Sequence, residues 1–312
     1  MAGFTALDIA KLNASDEMAG LVEKNKNVAP ELSRVPAFMI KGLAFKTNVR
    51  LNVPEGGFKP LGGGVVPGKS EYDTKIVECF SYSNPLREMA DVVRSHRKGQ
   101  AYALALAASG AMKGAMEKIG RAFYYGATSL GGSTDSTPGL IDLYDSTNKV
   151  VDAGGTTAST GSSAWFVKFG NEEDGLVSLV FGEERVFALR EWILQQIITN
   201  TTTGALADAW TNDLASAVGV QLNDIDAAVR IKKLTEDSGK GMTDSLGYKA
   251  IEKFPVGMRP DVCFMTKRSV RQLRDSRTGN LGGSTNTPWP TDVAGIPIVE
   301  TDSISNVEAL TL

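Results

Sequence analysis

The sequence predicts an α+β protein in which strands and helices mix irregularly. β-prone runs recur from Lys46 to the C-terminal stretch AGIPIVETDSISNVEALTL, one long apolar stripe at helical spacing runs from Leu104 to Phe123, and the elements do not follow the βαβ alternation of a parallel sheet. At 312 residues the chain exceeds the roughly 250–300 residues that a single core usually serves. Two packed units, or a core with long extensions, are expected.

Composition narrows the class. With 42% hydrophobic and 22% charged residues the chain reads as a soluble folded protein, and its 33 glycines imply many turns and long loops. A net charge of -3 and a pI near 5.5 argue against a dedicated sequence-specific DNA binder, for which a domain pI above ~9 is usual, but leave room for local basic clusters. Cys79 and Cys263 are too few for a disulfide framework or a thiolate zinc site and read as small buried hydrophobes. The longest apolar run, AYALALAA at 101–108, is far shorter than the ~20 residues that span a bilayer. The start MAGFTALDIAKLNASDE shows no basic residues followed by an apolar run, so no secretory signal and a cytoplasmic maturation are expected.

The elements follow in order. Residues 1–44, punctuated by Pro30 and Pro36, predict one or two short helices in an extended arm with little core of its own. KTNVRLNV and SEYDTKIVECF, joined by a Gly- and Pro-rich middle, predict a long hairpin over 45–82. This hairpin is polar on both faces, and an isolated two-stranded hairpin is marginal in water, so a neighbouring subunit is its natural support. Within residues 84–126, Leu104, Ala108, Met112, Ala115, Ile119 and Phe123 recur at i+4 and i+3 steps and predict one long alanine-rich helix. Gly110 and Gly114 leave space for a second backbone, and Lys113, Glu117 and Lys118 make a soluble layer the neighbour rather than a membrane helix.

The rest of the chain mixes turns and strands. Residues 127–163 are turn-rich, and the similarity of LGGSTDSTP at Leu130 to LGGSTNTP at Leu281 is shared turn chemistry rather than a repeat. SAWFVKFG and GLVSLVFG read as strands, and the stretch through Leu189, Trp192 and Ile197 leaves helix and strand both open. The second half of QLNDIDAAVRIKKL predicts a strand, and TKRSVRQLRDS a helix with Thr266 as its N-cap. The acidic run NEEDG at 171–175 lacks the ligand spacing of a calcium loop and reads as a polar turn.

Chemical motifs are few. GGVVPGKS, residues 63–70, satisfies the phosphate-loop pattern GxxxxGK[ST], whose backbone N–H groups converge only between a buried strand and a helix. GGFKP before it is no buried strand and EYDTKIVECF after it reads as a strand, so the match fails its context. The single histidine, His96, nearly removes Ser-His-Asp, Cys-His and histidine-rich metal chemistry. It sits among Arg94, Arg97 and Lys98, a solvated segment or a patch facing a polyanion. Arg268, Arg271 and Arg274 recur every third residue along one side of the expected helix, which suits a salt-bridged subunit contact or solvated face, with phosphate contact as the alternative. No pair stands out among the 36 acidic residues as glycosidase-type carboxylates.

Several strings resemble one family. GVVPGKSEYDTKIVEC at 64–79 is similar to the descending limb of the extended loop in a subgroup of the major capsid proteins of tailed bacteriophages. FYYG at Phe123 followed by TPGLIDLY at Thr137 resembles the end of their spine helix and the turn into their axial domain, and SSAWFVKFG, DAAVRIKKL and AGIPIVETDSI resemble later strands. The resemblance implies an N-terminal arm (1–44), an extended loop (45–82), a spine helix and peripheral domain (83–127), a first axial part (128–204), peripheral strands (205–235) and the remaining axial domain (236–312). It implies a structural protein, not an enzyme, that needs no cofactor or metal and assembles into pentamers and hexamers of an icosahedral shell. That shell would enclose double-stranded DNA without sequence specificity in the virion, form in the host cytoplasm, and use a separate scaffolding protein and a portal, with no membrane partner. Under it, Lys69, Glu71, Arg50, Arg268, Arg271 and Arg274 are candidate inter-subunit contacts, and Arg94, Arg97 and Lys98 a candidate DNA-facing patch. The rivals are a nanocompartment shell of the same fold, filled with protein, and a nucleotide-binding enzyme using the GKS run.

Overall fold

A computed structural model describes residues 4–13, 16–52, 54–128, 130–131, 135–170, 175–183, 185–200, 205–280 and 288–311. The chain opens with α1 (Ala6–Asn13), α2 (Asp16–Asn25), α3 (Pro30–Arg34) and β1 (Ala37–Met39). There follow β2 (Ala44–Asn52), β3 (Glu71–Glu78), β4 (Phe80–Met89), α4 (Ala90–Ser95) and α5 (Gln100–Tyr125). Next come α6 (Leu140–Leu143), β5 (Val150–Asp152), β6 (Ser162–Val167), β7 (Ser178–Phe181), β8 (Ala188–Leu189), β9 (Ile193–Asn200) and β10 (Ala205–Gln221). The chain ends with β11 (Ala228–Leu234), α7 (Asp244–Glu252), β12 (Val262–Met265), α8 (Lys267–Asn280), β13 (Asp292–Val293) and β14 (Ile296–Glu300).

Two six-stranded sheets organise these elements. In the first, β10 pairs with β4 along one edge, and with β9, β8 and β7 in turn along the other, with β1 beyond β7. The second runs β13-β14-β12-β6-β11-β5, so β10 and β11 belong to different sheets although only a short 3-10 turn separates them. The third, β2 with β3, is the expected hairpin.

The predicted helical stripe is the hinge of the core. Leu104, Ala108, Met112, Ala115, Ile119 and Phe123 are all buried, and α5 spans 26 residues, about 39 Å at 1.5 Å per residue. The expected helix over 84–126 is shorter at its start: residues 84–89 belong to β4, α4 is separate, and Gly99 with φ +89 turns the chain into α5. Pro85 is tolerated in β4 because that strand pairs on one side only. Gly110 and Gly114 face open space within the chain, whereas the close approach is at Gly120, where a Cβ would sit 2.6 Å from Ser303 Oγ.

The N-terminal segment, expected as one or two short helices with little core of its own, holds three helices. Its helices are short, as predicted, but Leu7, Val22 and Leu32 are buried in the same core as Met112 and Met116 of α5. The apolar residues of α1 to α3, too sparse to form a core alone, find one against the long helix. Thr5 and Asp8 also form a reciprocal cap, each side chain accepting from the other's backbone N–H. A second core lies between the other sheet and α7 and α8, built from residues such as Phe166, Ile231, Met265 and Leu273. Thr266 caps α8 as expected, its Oγ1 accepting from Ser269 N at 3.3 Å. Both cysteines are free and buried. The undecided stretch through Leu189 and Ile197 is strand, in β8 and β9. Most of NEEDG and parts of the two LGGST loops lie outside the described residues.

Candidate functional site

The hairpin is anchored at its root and unsupported at its tip. A small core of Val77, Cys79, Val180 and Ala217, with Phe38 edge-on to Phe45 at 5.4 Å, grips the base, and Lys75 Nζ donates to Asn223 O at 2.7 Å. Gly219 lets the hairpin pass, because a Cβ there would meet Glu78 O at 2.8 Å. The sequence expectation of a support outside the hairpin, with a neighbouring subunit as its natural source, is met at the base from within the chain: residues polar along the strands end in an apolar plug at the root. Beyond the strands, Phe58, Leu61 and Val66 stand fully or almost fully in solvent.

The phosphate-loop residues form no anion cradle. Gly63 N donates to Pro60 O at 2.9 Å in a turn, and Glu71 begins β3 where a phosphate loop would begin a helix. Lys69 and Glu71 are exposed on the returning limb, and Arg50 pairs across the hairpin with Tyr72. The hairpin thus brings Lys69, Glu71 and Arg50 to one projecting element.

The basic cluster lies at the link between α4 and α5. Arg94, Arg97 and Lys98 are exposed, His96 stacks against Tyr102 at 5.3 Å, and Lys98 Nζ lies 4.6 Å from the centre of the same ring. The Tyr102 face orients the cluster by cation–π and stacking contacts.

The three arginines of α8 behave differently from one another. Arg268 is largely covered and donates to the carbonyls of Asn306, Thr160 and Leu234 at 2.8–3.1 Å. Arg271 makes two bonds to Glu236, at 2.6 and 2.7 Å, and holds that carboxyl below its usual range. Arg274 is half-buried. Both Arg268 and Arg271 are thus engaged inside their own chain, a difference that three-residue spacing does not reveal.

The most deeply placed ionic group escaped the sequence reading. Arg230 and Glu308, 1% and 2% exposed, pair at 3.1 Å between β11 and the C-terminal segment. Glu308 also accepts from Ser163 Oγ at 2.5 Å and from the Tyr125 hydroxyl, which in turn accepts from Ser305 N at 2.7 Å. Arg230 Nε donates to Ser163 Oγ at 2.8 Å and its guanidinium lies 5.5 Å from the Trp165 ring. The signal available was one arginine inside the apolar run AAVRI. Among the described residues no group of His, Cys, Asp and Glu is arranged to hold a metal, and no helix is long and apolar enough to cross a membrane.

Residues 39–311 match the family described as major capsid protein GP7. Among solved structures, a chain of bacteriophage Epsilon15 is 17% identical with a TM-score of 0.64, over 88% of this chain and 87% of that one. A chain of the bacteriophage JBD30 capsid is 8% identical with a TM-score of 0.49, over 86% and 88%. No curated protein matches the sequence. The likeness to Epsilon15 shows the fold. The match over most of its length shows that the chain belongs to the major capsid protein GP7 family, a structural shell protein of the phage virion and not an enzyme.

Proposed function

We propose that the shell is icosahedral, built from pentamers and hexamers of this chain, and that it encloses double-stranded DNA. The observation that carries the assembly reading is the hairpin tip, where Phe58, Leu61 and Val66 stand exposed at the end of a strand pair whose apolar anchor lies at its base. Apolar area of that kind is buried on a neighbour, as in other interfaces where a few large side chains dominate. Lys69, Glu71 and Arg50 on the same hairpin are the proposed contacts between copies; Arg268 and Arg271 hold partners within the chain.

In this reading α5 with the β4–β10 sheet is the peripheral domain, and the second sheet with α7 and α8 is the axial domain. β11, expected among the peripheral strands, goes with the axial sheet, and β7, β8 and β9, expected in the first axial part, go with the peripheral one. Arg94, Arg97 and Lys98 face the DNA and neutralise phosphates without reading sequence, while the net charge of -3 keeps the wall from binding its contents tightly. Scaffolding and portal proteins come from separate chains, and assembly takes place in the host cytoplasm.

Negative-stain electron microscopy of the purified protein, alone and with a co-expressed scaffolding protein, tests this. Closed shells in either preparation support it. A monodisperse monomer in both overturns it.

A further inference from the structure

The tandem tyrosines that end α5 point at two buried carboxylates of opposite character. Tyr125 donates to Glu308, whose charge is met by Arg230. Tyr124 faces Glu31 of α3, which no cation meets among the described residues. Glu31 is fully buried and accepts from the Thr301 hydroxyl, while Thr301 Oγ1 also accepts from Ser303 N at 3.0 Å. Glu31 Oε2 and the Tyr124 hydroxyl interact but neither completes a hydrogen bond. Gly120 makes room for this approach, because a Cβ there would crowd Ser303, Ala29 and Glu31 together.

We propose that Glu31 is a proton-held latch that fastens the N-terminal helices and the C-terminal segment onto the end of α5, closed while its carboxyl is neutral and loosened when it ionises. The groups facing it agree with this. From α5 comes only the Tyr124 hydroxyl, with the Cys263 thiol of β12 behind it; burial pushes both upward, so both are neutral. The C-terminal segment contributes the hydroxyls of Thr301 and Ser303, while the Asp302 carboxylate between them is exposed. Burial likewise pushes the Glu31 carboxyl above its usual range, only partly opposed by those hydroxyls.

The sign follows from linkage. The closed state holds a proton that the opened state gives up near the ordinary value of 4.5. Closure is therefore fully supported below that value and weakens as pH rises toward the raised value of the closed state. Within that window the opened population grows up to about tenfold per pH unit.

Hydrogen exchange of the full-length unassembled chain, corrected for intrinsic rates and followed from pH 5 to pH 9, reads the latch directly. Amides of α1 to α3 and of residues 301–305 should lose protection with rising pH while those of α8 and β12 hold theirs. Glu31→Gln should remove the pH dependence in those segments. Thr301→Ala, which deprives the ionised carboxyl of a donor, should leave the onset of the loss in place and carry it further toward high pH. Flat protection in the unaltered chain, or the same pH dependence in Glu31→Gln, overturns the proposal; the first outcome needs no variant to fold.

Discussion

Replacing Glu308 by Ala removes one carboxylate and strands three donors. Tyr125, Ser163 and Arg230 all point at it, and Arg230 is 1% exposed, so no water reaches the guanidinium left behind. Breaking a buried pair by deleting one partner costs about 3–5 kcal/mol, because the remaining charge stays desolvated. That is a large part of the ~5–15 kcal/mol by which a folded domain is usually stable. Urea unfolding of the unassembled chain, followed by tryptophan fluorescence, is the assay, since Trp165 lies against Arg230. The double variant Arg230→Met with Glu308→Leu separates charge from packing. It removes both ions and should recover most of the loss, because exchanging a buried pair for apolar residues of similar volume is often neutral. A loss below about 1 kcal/mol in Glu308→Ala, or a double variant no better than that single variant, would refute the reasoning.

Other outcomes follow from the same structure. Phe123→Ala opens a cavity beside Phe264, whose ring centre lies 6.4 Å away, and should cost about 3–5 kcal/mol in the same urea assay. Two bonds from Arg277 hold the Asp244 carboxyl below its ordinary 3.8. That stabilisation is complete above this value and lost as pH falls through the lowered one, so Asp244→Asn should flatten the acid limb of stability against pH. Phe58→Ser with Leu61→Ser, both fully exposed in the chain, should leave the urea midpoint unchanged while abolishing shells by electron microscopy. Charge reversal at Arg94, Arg97 and Lys98 should leave empty shells intact and lower the DNA recovered from filled particles.

What the sequence made legible was periodic or local. The stripe from Leu104 to Phe123 declares α5 because one helix face is buried along its length, and the hairpin follows from two β-prone runs around glycines and prolines. What it hid was made by distant pairing. β10 alternates in burial but not in hydrophobicity, since Asn212 and Ser216 share its buried face with Leu214, and the packing of α1 to α3 depends on a helix some seventy residues on. The site divides in the same way. Lys69 and the basic cluster are exposed and could be read in place, whereas Arg268 and Arg271 look alike in the sequence and differ only because Glu236, Thr160 and Asn306 fold against them. Glu308 carries no local mark at all, and only the fold sets it opposite Arg230.

The long strand β10 has a mechanical meaning. Its 17 residues reach about 55 Å at roughly 3.3 Å each, and ten of them, Ala209 to Val218, are matched residue for residue with β4. Because the two strands run antiparallel and end to end along this ladder, tension applied along them must slide many hydrogen bonds at once rather than open them singly. On its other edge the same strand is clasped by β9, β8 and β7. When a shell wall is stretched in its own plane, subunits carrying such a strand along the line of pull would resist by shear.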